Sequence, residues 1–357
     1  MVNQSYEKSK TPLIFSKKQI ERAGRCIRKQ EGDLDQAVKV IQNFRSAHSY
    51  PLTIIKNLVW KHVRTLGLLE TATVARRLKR LPTILDKLQR SSLDGGESSN
   101  AMDLRRMQDI GGCRVIVQTK SELEKLNASL DTSRTVHESR IYSHLAVAKD
   151  SGYRGIHRCY KTYSKKSEHA WKGFNIELQL RTKLQHVWAT GVEIIDVVEN
   201  ESLKTNPTQA SYKWKRLLVI FSAFLAQKDG FIEMDNGVVE TLRLELFLLT
   251  QELHAIEKLN SFNRALVVKE ISTRAKEEGF TLLKYDLKTG DGSARFFPKN
   301  REQDAMEKYA ELEAIPNQDV ILIAGRDIKK IEKAYPNYLG DSSTFVSLLA
   351  EAITNWS

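Results

Sequence analysis

The stretch "FNIELQLRT" (174–182) decides how the chain is read, because its apolar and polar residues alternate with a period of two. Ile176, Leu178 and Leu180 fall on one face of a strand, and Glu177, Gln179 and Arg181 on the other. One face is suited to a core, while the other aligns a carboxylate, an amide and a guanidinium. A solvated strand face would give the same triplet, so the surrounding sequence has to decide. Three short runs upstream, "CRVIVQ" (113–118), "IYSHLAVA" (141–148) and "HRCYKTY" (157–163), are rich in β-branched or aromatic residues and bounded by turns. Together they predict one mixed sheet, covered by helices over 121–130, 182–199 and 207–227.

Before the sheet, "SKKQIERAGRCIRKQ" (16–30) opens on a Ser N-cap and spaces Ile20, Ala23 and Ile27 helically, with Arg22, Arg25, Arg28 and Lys29 mostly on other faces. Helices are also predicted at 52–70 and at 73–91, the second interrupted near Pro82 and followed by a polar loop. After the break at 228–237, Leu242, Leu246, Leu249, Leu253 and Ile256 form an apolar stripe that predicts a connecting helix. Residues 279–357 read as a small α/β unit with strands "FTLLKYDL", "ARFF" and "DVILIA". The expected fold is therefore α+β, with domains at 1–230 and 270–357 joined by a helical segment at 231–269.

The chain has 357 residues and a net charge of +12, unevenly placed. Residues 1–100 carry 19 Lys and Arg against 9 Asp and Glu, a balance of +10, whereas residues 265–357 carry 13 against 15, a balance of −2. A basic front suits a polyanionic partner, since each neutralised phosphate releases counterions, although a solvated basic helix has the same composition. Three widely spaced cysteines, Cys26, Cys113 and Cys159, fit a reducing compartment and exclude a disulfide framework or a CxxC zinc pattern. No stretch reaches the roughly 20 apolar residues that span a bilayer, so the expected location is the cytoplasm.

Two further places carry chemistry. In "MQDIGGCRVIV" (107–117), Asp109 precedes a Gly-Gly turn into a strand, a position for an Mg²⁺ ligand beside backbone able to approach a substrate. In "KDSGYRGIHRCYK" (149–161), a glycine-flanked Tyr153 offers a stacking surface for a base, with Arg154 and His157 as cations close behind. An ordinary β-turn with an exposed tyrosine would read the same way in isolation.

Order and spacing add to this. "RRLKRLPTILDKL", "DIGGCRVI", "GYRGIH" and "IELQLRT" followed by "QHVWA" resemble, in sequence order, the synthetase domain of the RelA/SpoT family over residues 15–230. The resemblance implies a nucleotidyltransferase-like fold and a pyrophosphokinase that moves the β,γ-diphosphate of ATP to a ribose 3′-hydroxyl, releasing AMP. It implies ATP-phosphate binding by Arg77, Lys79 and Lys87 and Mg²⁺ binding by Asp109. Glu177 would complete the metal site or accept the hydroxyl proton, Tyr153 would stack on the acceptor base, and His157, Gln179 and Arg181 would support acceptor or phosphate. Thr83 replaces the serine usual in the family, and the absence of a His-Asp dipeptide excludes the family's hydrolase domain.

The segment before Tyr153 is shorter than in the family's housekeeping alarmone synthetases, which removes one clamp for GDP or GTP. The resemblance therefore extends to toxic members that modify the 3′ CCA end of tRNA, with Arg25, Arg28 and Lys29 as candidate tRNA contacts; GDP or GTP is the alternative acceptor, and a catalytically dead RNA-binding or sensor module the alternative class. Residues 270–357 resemble the C-terminal antitoxin region of CapRel, a fused toxin–antitoxin subgroup linked to phage defence. That region is zinc-finger-like, yet no Cys or His lies beyond His254, so zinc is not expected. A YxxY motif, Tyr335-Pro336-Asn337-Tyr338, is expected to cover the ATP site near Arg77 and Lys79 until a phage protein binds the C-terminal domain.

Overall fold

The computed structural model describes residues 10–90, 102–198, 209–261, 279–286, 292–313, 315, 318–325 and 342–354. Tyr335 and Tyr338 lie outside the described residues. Two compact units divide the chain, residues 1–115, 124–142 and 156–180 in the first and residues 116–123, 143–155 and 181–357 in the second.

The first unit opens with α1 (Lys17–Lys29), α2 (Leu34–Ala47) and α3 (Ser49–Thr65). Helix α1 starts where the sequence places it, because Ser16 and Gln19 satisfy each other's backbone: Gln19 N donates to Ser16 Oγ at 3.3 Å and Ser16 N to Gln19 Oε1 at 2.8 Å. Helix α2 has no counterpart in the sequence reading; Asp33 caps it, accepting from Gln36 N at 2.9 Å. Ile20, Ala23 and Ile27 of α1 bury against Ala37, Val40, Ile41 and Phe44 of α2. Each large side chain removed from water there contributes about 1.5–3 kcal/mol.

Next come β1 (Thr73–Leu78), α4 (Leu81–Gln89), β2 (Gly111–Val117), α5 (Lys120–Asp131), β3 (Glu138–Ser143), β4 (Ile156–Lys161) and β5 (Asn175–Thr182). The strands form one mixed sheet in the order β1-β2-β5-β4-β3, with β4 and β5 antiparallel from Ile156 opposite Leu180 to Lys161 opposite Asn175. Ile176, Leu178 and Leu180 are fully buried, as the alternation requires.

Residues 73–78 form a strand rather than the start of a helix. Arg76, Arg77 and Leu78 are adequate helix formers, but pairing with β2 overrides that preference, and Lys79 N extends the contact by donating to Ile110 O at 2.7 Å. The helix begins only at Leu81, with Pro82 in its first turn, where a missing N–H costs nothing. The run expected at 141–148 is a strand only as far as Ser143. Gly111 has a packing role: a Cβ there would sit 2.6 Å from Ile176 Cδ1 and 3.6 Å from Leu52 Cβ.

The second unit contains α6 (Lys183–Val198), α7 (Gln209–Lys228), α8 (Asn236–Leu253) and α9 (Ala255–Ser261), then β6 (Gly279–Asp286), β7 (Gly292–Pro298), α10 (Glu302–Glu313), β8 (Gln318–Gly325) and α11 (Ser343–Thr354). Its main core joins Trp188, Trp214, Leu217, Phe221, Phe224, Leu246 and Leu253 with Phe345 and Leu349 of α11. Helix α8 is therefore not a mere connector, since its leucine stripe lies in this core. Phe345 packs edge-on against Phe221, with ring centroids 4.9 Å apart, and takes the space at Gly191, where a Cβ would lie 2.1 Å from its ring. Strands β7-β6-β8 and α10 make a separate antiparallel layer around Leu282, Phe297, Ala305 and Val320. No helix among the described residues is long and apolar enough to cross a membrane.

Candidate active site

The polar face of the β4–β5 hairpin gathers the first group of predicted residues. His157 pairs across the hairpin with Gln179, and Cys159 with Glu177. Glu177 is held at both oxygens, with His157 Nδ1 2.7 Å from Oε1 and Gln179 Nε2 donating to Oε2 at 2.8 Å. Arg114 of β2 reaches Gln179 Oε1 at 3.4 Å, so three neighbouring strands fix one carboxylate. Burial pushes the Glu177 carboxyl up, but the hydrogen bond and charge of His157 outweigh it and hold the group below its usual range. The Asp109 charge opposes that ionisation, which places the two carboxylates within electrostatic reach of each other.

Asp109 sits just before β2, between two lysines. Lys79 Nζ donates to Oδ2 at 3.0 Å from the end of β1, and Lys87 Nζ approaches Oδ1 at 3.3 Å and Oδ2 at 3.2 Å from the last turn of α4. Burial acts against ionisation of Asp109, yet Lys79 and then Lys87 keep its carboxyl below the ordinary value. Lys79 is itself lowered, chiefly by burial, with Lys87 and Arg77 as like charges and Asp109 as the opposing influence. Four of the predicted residues, Lys79, Lys87, Asp109 and Arg77, thus form one electrostatically linked cluster.

The sequence reading missed what supports this cluster. Arg45 of α2 is 4% exposed and its Nε donates to the Lys79 carbonyl at 2.6 Å, fixing the backbone that carries the ammonium. His48, one turn on, bonds Phe44 O through Nδ1 at 2.7 Å, and burial drives its pKa down to about 4, so it stays neutral. Neither was detectable without assigning α2. Arg25 and Lys29 of α1 are exposed, whereas the half-buried Arg28 donates to the Met102 carbonyl and so anchors α1.

In the second unit, Tyr153 follows a glycine at which any side chain would be strained. Gly152 has φ +87°, and a Cβ there would meet Val219 Cα at 3.0 Å and Trp188 Cζ2 at 3.1 Å. Trp188 Nε1 donates to Leu218 O at 2.8 Å, locking α6 to α7 behind the turn. The Tyr153 ring packs edge-on near Trp188 at 6.3 Å, Arg181 Nε donates to its hydroxyl at 3.2 Å, and Lys149 Nζ lies 5.3 Å from its centroid. Arg154 is committed to structure: Nη1 donates to the carbonyls of Leu145 at 2.6 Å and Ala146 at 2.7 Å. Among the described residues, no group of three or more His, Cys, Asp or Glu side chains converges as a ready metal cage.

The segment that carries these residues is similar to known proteins. Residues 76–195 match the model of the region found in RelA / SpoT proteins. GTP pyrophosphokinase YjbM of Bacillus subtilis (strain 168) is 31% identical over 119 residues, 33% of this chain and 52% of that protein. The chain thus spans about half the length of this curated relative. Among solved structures, the small alarmone synthetase 1 of Bacillus subtilis bound to pppGpp is 24% identical, covering 53% of this chain and 92% of that one with a TM-score of 0.40. A GTP pyrophosphokinase family protein from Streptococcus pneumoniae is 18% identical, covering 62% and 92% with a TM-score of 0.36. Residues 76–195 therefore carry a RelA/SpoT-type domain homologous to part of a GTP pyrophosphokinase, and they include every predicted catalytic and ATP-binding residue.

Proposed function

We propose that the chain is an ATP-dependent pyrophosphokinase of the RelA/SpoT type whose acceptor is the 3′-hydroxyl of the tRNA CCA end. The observation that carries the chemistry is the pairing, in one unit, of a Lys79–Asp109–Lys87 cluster with a Glu177 carboxylate clamped by His157 and Gln179.

A bound triphosphate would replace Asp109 as the partner of Lys79 and Lys87, with Arg77 adding charge, and the released carboxylate would face a cation. Asp109 and Glu177 suit Mg²⁺, which takes one or two carboxylates and completes its shell from substrate phosphates and water. When bound, that ion neutralises and orients the phosphates of the donor. The attacking 3′-oxygen forms a bond to the β-phosphorus while the bond to the α-phosphate oxygen breaks, and AMP leaves. Glu177 serves either as acceptor of the hydroxyl proton, held in orientation by His157, or as the second oxygen ligand. Tyr153 supplies the stacking surface for the acceptor base, with Arg181 fixing its hydroxyl.

The choice of tRNA rests on the short segment Asp150-Ser151-Gly152 before Tyr153 and on the +10 balance of residues 1–100. The similarity to a GTP pyrophosphokinase supports GDP or GTP as the second reading. On the same sequence resemblance, the C-terminal region with Tyr335 and Tyr338 restrains the enzyme, and a phage protein that binds the open state more tightly releases it. Incubation with γ-labelled ATP and either deacylated tRNA or GDP tests the proposal. Label on tRNA is the expected result; label on GDP with tRNA unmodified would overturn the acceptor.

A further inference from the structure

The β4–β5 hairpin continues beyond the catalytic face, and the proposed chemistry leaves its tip unused. Residues 161–174 hold four lysines, Lys161, Lys165, Lys166 and Lys172, against the single acid Glu168, a net charge of +3. All four lysines are exposed, and among the described residues none of their ammonium groups meets a carboxylate. Arg134, also exposed, lies in the adjoining loop.

This tip is not a loose basic loop. Lys165 N donates to Val136 O at 3.1 Å and its Nζ to Thr135 O at 3.3 Å, while Glu138 N donates to Ser164 Oγ at 2.9 Å. Tyr163 takes φ +50°, a conformation rarely adopted by residues other than glycine. It is held there by its N–H, which donates to His137 Nδ1 at 2.8 Å, and by the His169 ring stacked on it at 3.4 Å and 15°. Trp171 packs against Tyr50 at 4.5 Å, and Lys172 Nζ ties the turn through the carbonyls of Lys166 at 2.6 Å and Ser167 at 3.1 Å. A preformed frame of this kind spares much of the ordering cost of binding.

Its spacing suggests the ligand. Lys161 shares a strand face with His157 and Cys159, and two residues of strand place it about 7 Å along from the Cys159–Glu177 pair. From Lys161 the exposed lysines continue along the sequence into the tip, interleaved with the half-buried rings of Tyr163, His169 and Trp171. A chain of regularly spaced phosphates can follow such a run of cations, whereas a free nucleotide occupies one end of it. We propose that the tip of the β4–β5 hairpin binds the phosphate backbone of an RNA acceptor. This rests on the reading of tRNA as acceptor.

The test uses the full chain carrying R134E, K161E and K166E, three exposed cations whose side chains take no part in the frame just described. Binding of fluorescent deacylated tRNA, without ATP, is measured by anisotropy at several salt concentrations, alongside binding of a fluorescent ATP analogue and circular dichroism. The expected result is at least a tenfold weaker tRNA affinity and a salt slope reduced by about two to three, with the ATP analogue and fold unchanged. Equal tRNA affinity and slope in variant and wild type would overturn the inference, as would a wild type that does not bind tRNA. A wild type that binds tRNA through these cations but transfers diphosphate only to GDP would leave the surface standing and overturn the acceptor reading instead.

Discussion

Glu177 and Tyr153 are held in opposite ways. Glu177 sits mid-strand and takes its partners from adjacent strands, through His157, Gln179 and Arg114. Tyr153 sits on a turn backed by two helices, whose common core includes Phe345, nearly two hundred residues later in the chain. The Glu177 carboxylate is therefore set by local strand register, and the Tyr153 ring by long-range helix packing.

The sharpest way to test the first half is Glu177→Gln. It keeps the shape and the bond from Gln179 but removes the charge, so diphosphate transfer should fall about 10²–10⁴-fold with unchanged circular dichroism. A residual activity within threefold of wild type would break the assignment of the strand face as catalytic.

The second half is tested by Phe345→Ala, which opens a cavity over Gly191 and Phe221 and should cost about 3–5 kcal/mol. Hydrogen exchange should rise in α6, α7 and α11 while β4 and β5 stay protected. Equal loss of protection in the strands would mean that the two regions are not independently stabilised.

A smaller contrast lies in pH. Burial raises Asp229, at the end of α7, to about 6, even though Thr182 Oγ1 donates to it at 2.5 Å. A carboxyl raised above its unfolded value opposes folding as pH climbs from near 4 through 6 and has no effect below that window. Asp229→Asn should therefore raise the melting temperature by a few degrees at pH 7.5 and leave it unchanged at pH 3.5. An equal gain at both pH values would rule out ionisation as the cause. The carboxyls of the first unit, Asp109 and Glu177, are shifted the other way by their cationic and hydrogen-bonding neighbours.

The smallest effect is expected from Tyr153→Phe, which removes the hydroxyl that accepts the Arg181 bond. A neutral-to-charged hydrogen bond is worth about 1.5–3 kcal/mol when buried and less at this half-exposed ring, so KM for the acceptor should rise several-fold with kcat kept. A fall in kcat with unchanged KM would move Tyr153 from binding to chemistry.

The contrast also explains what could be read from sequence. Strand alternation is local, so the faces of β5 and the place of Glu177 were legible, as was α1 from Ser16 and its apolar spacing. Strand β1 was not, because its arginines and leucine suit a helix and only pairing with β2 makes them a strand. Arg45 escaped notice because a buried cation on an unassigned helix leaves no pattern. The docking of α11 was equally hidden: "STFVSLLAEAIT" shows an apolar face but not that its place is a bare glycine in α6.

Phe345 in the groove at Gly191 also bears on the order of synthesis. During translation the chain emerges from its amino end, and domains fold as their parts become available. Every residue of the proposed catalytic strand face leaves the ribosome well before α11 does. The helices behind Tyr153 cannot complete their packing until α11 has followed them. If the enzyme attacks tRNA, a half-made chain would otherwise endanger the ribosome producing it; a late keystone would keep each nascent copy harmless until α11 has emerged. Ribosome-bound chains stalled with α11 still inside the exit tunnel should show protease-sensitive α6 and α7 and no transfer to tRNA, and full activity at that stage would remove this safeguard from the account.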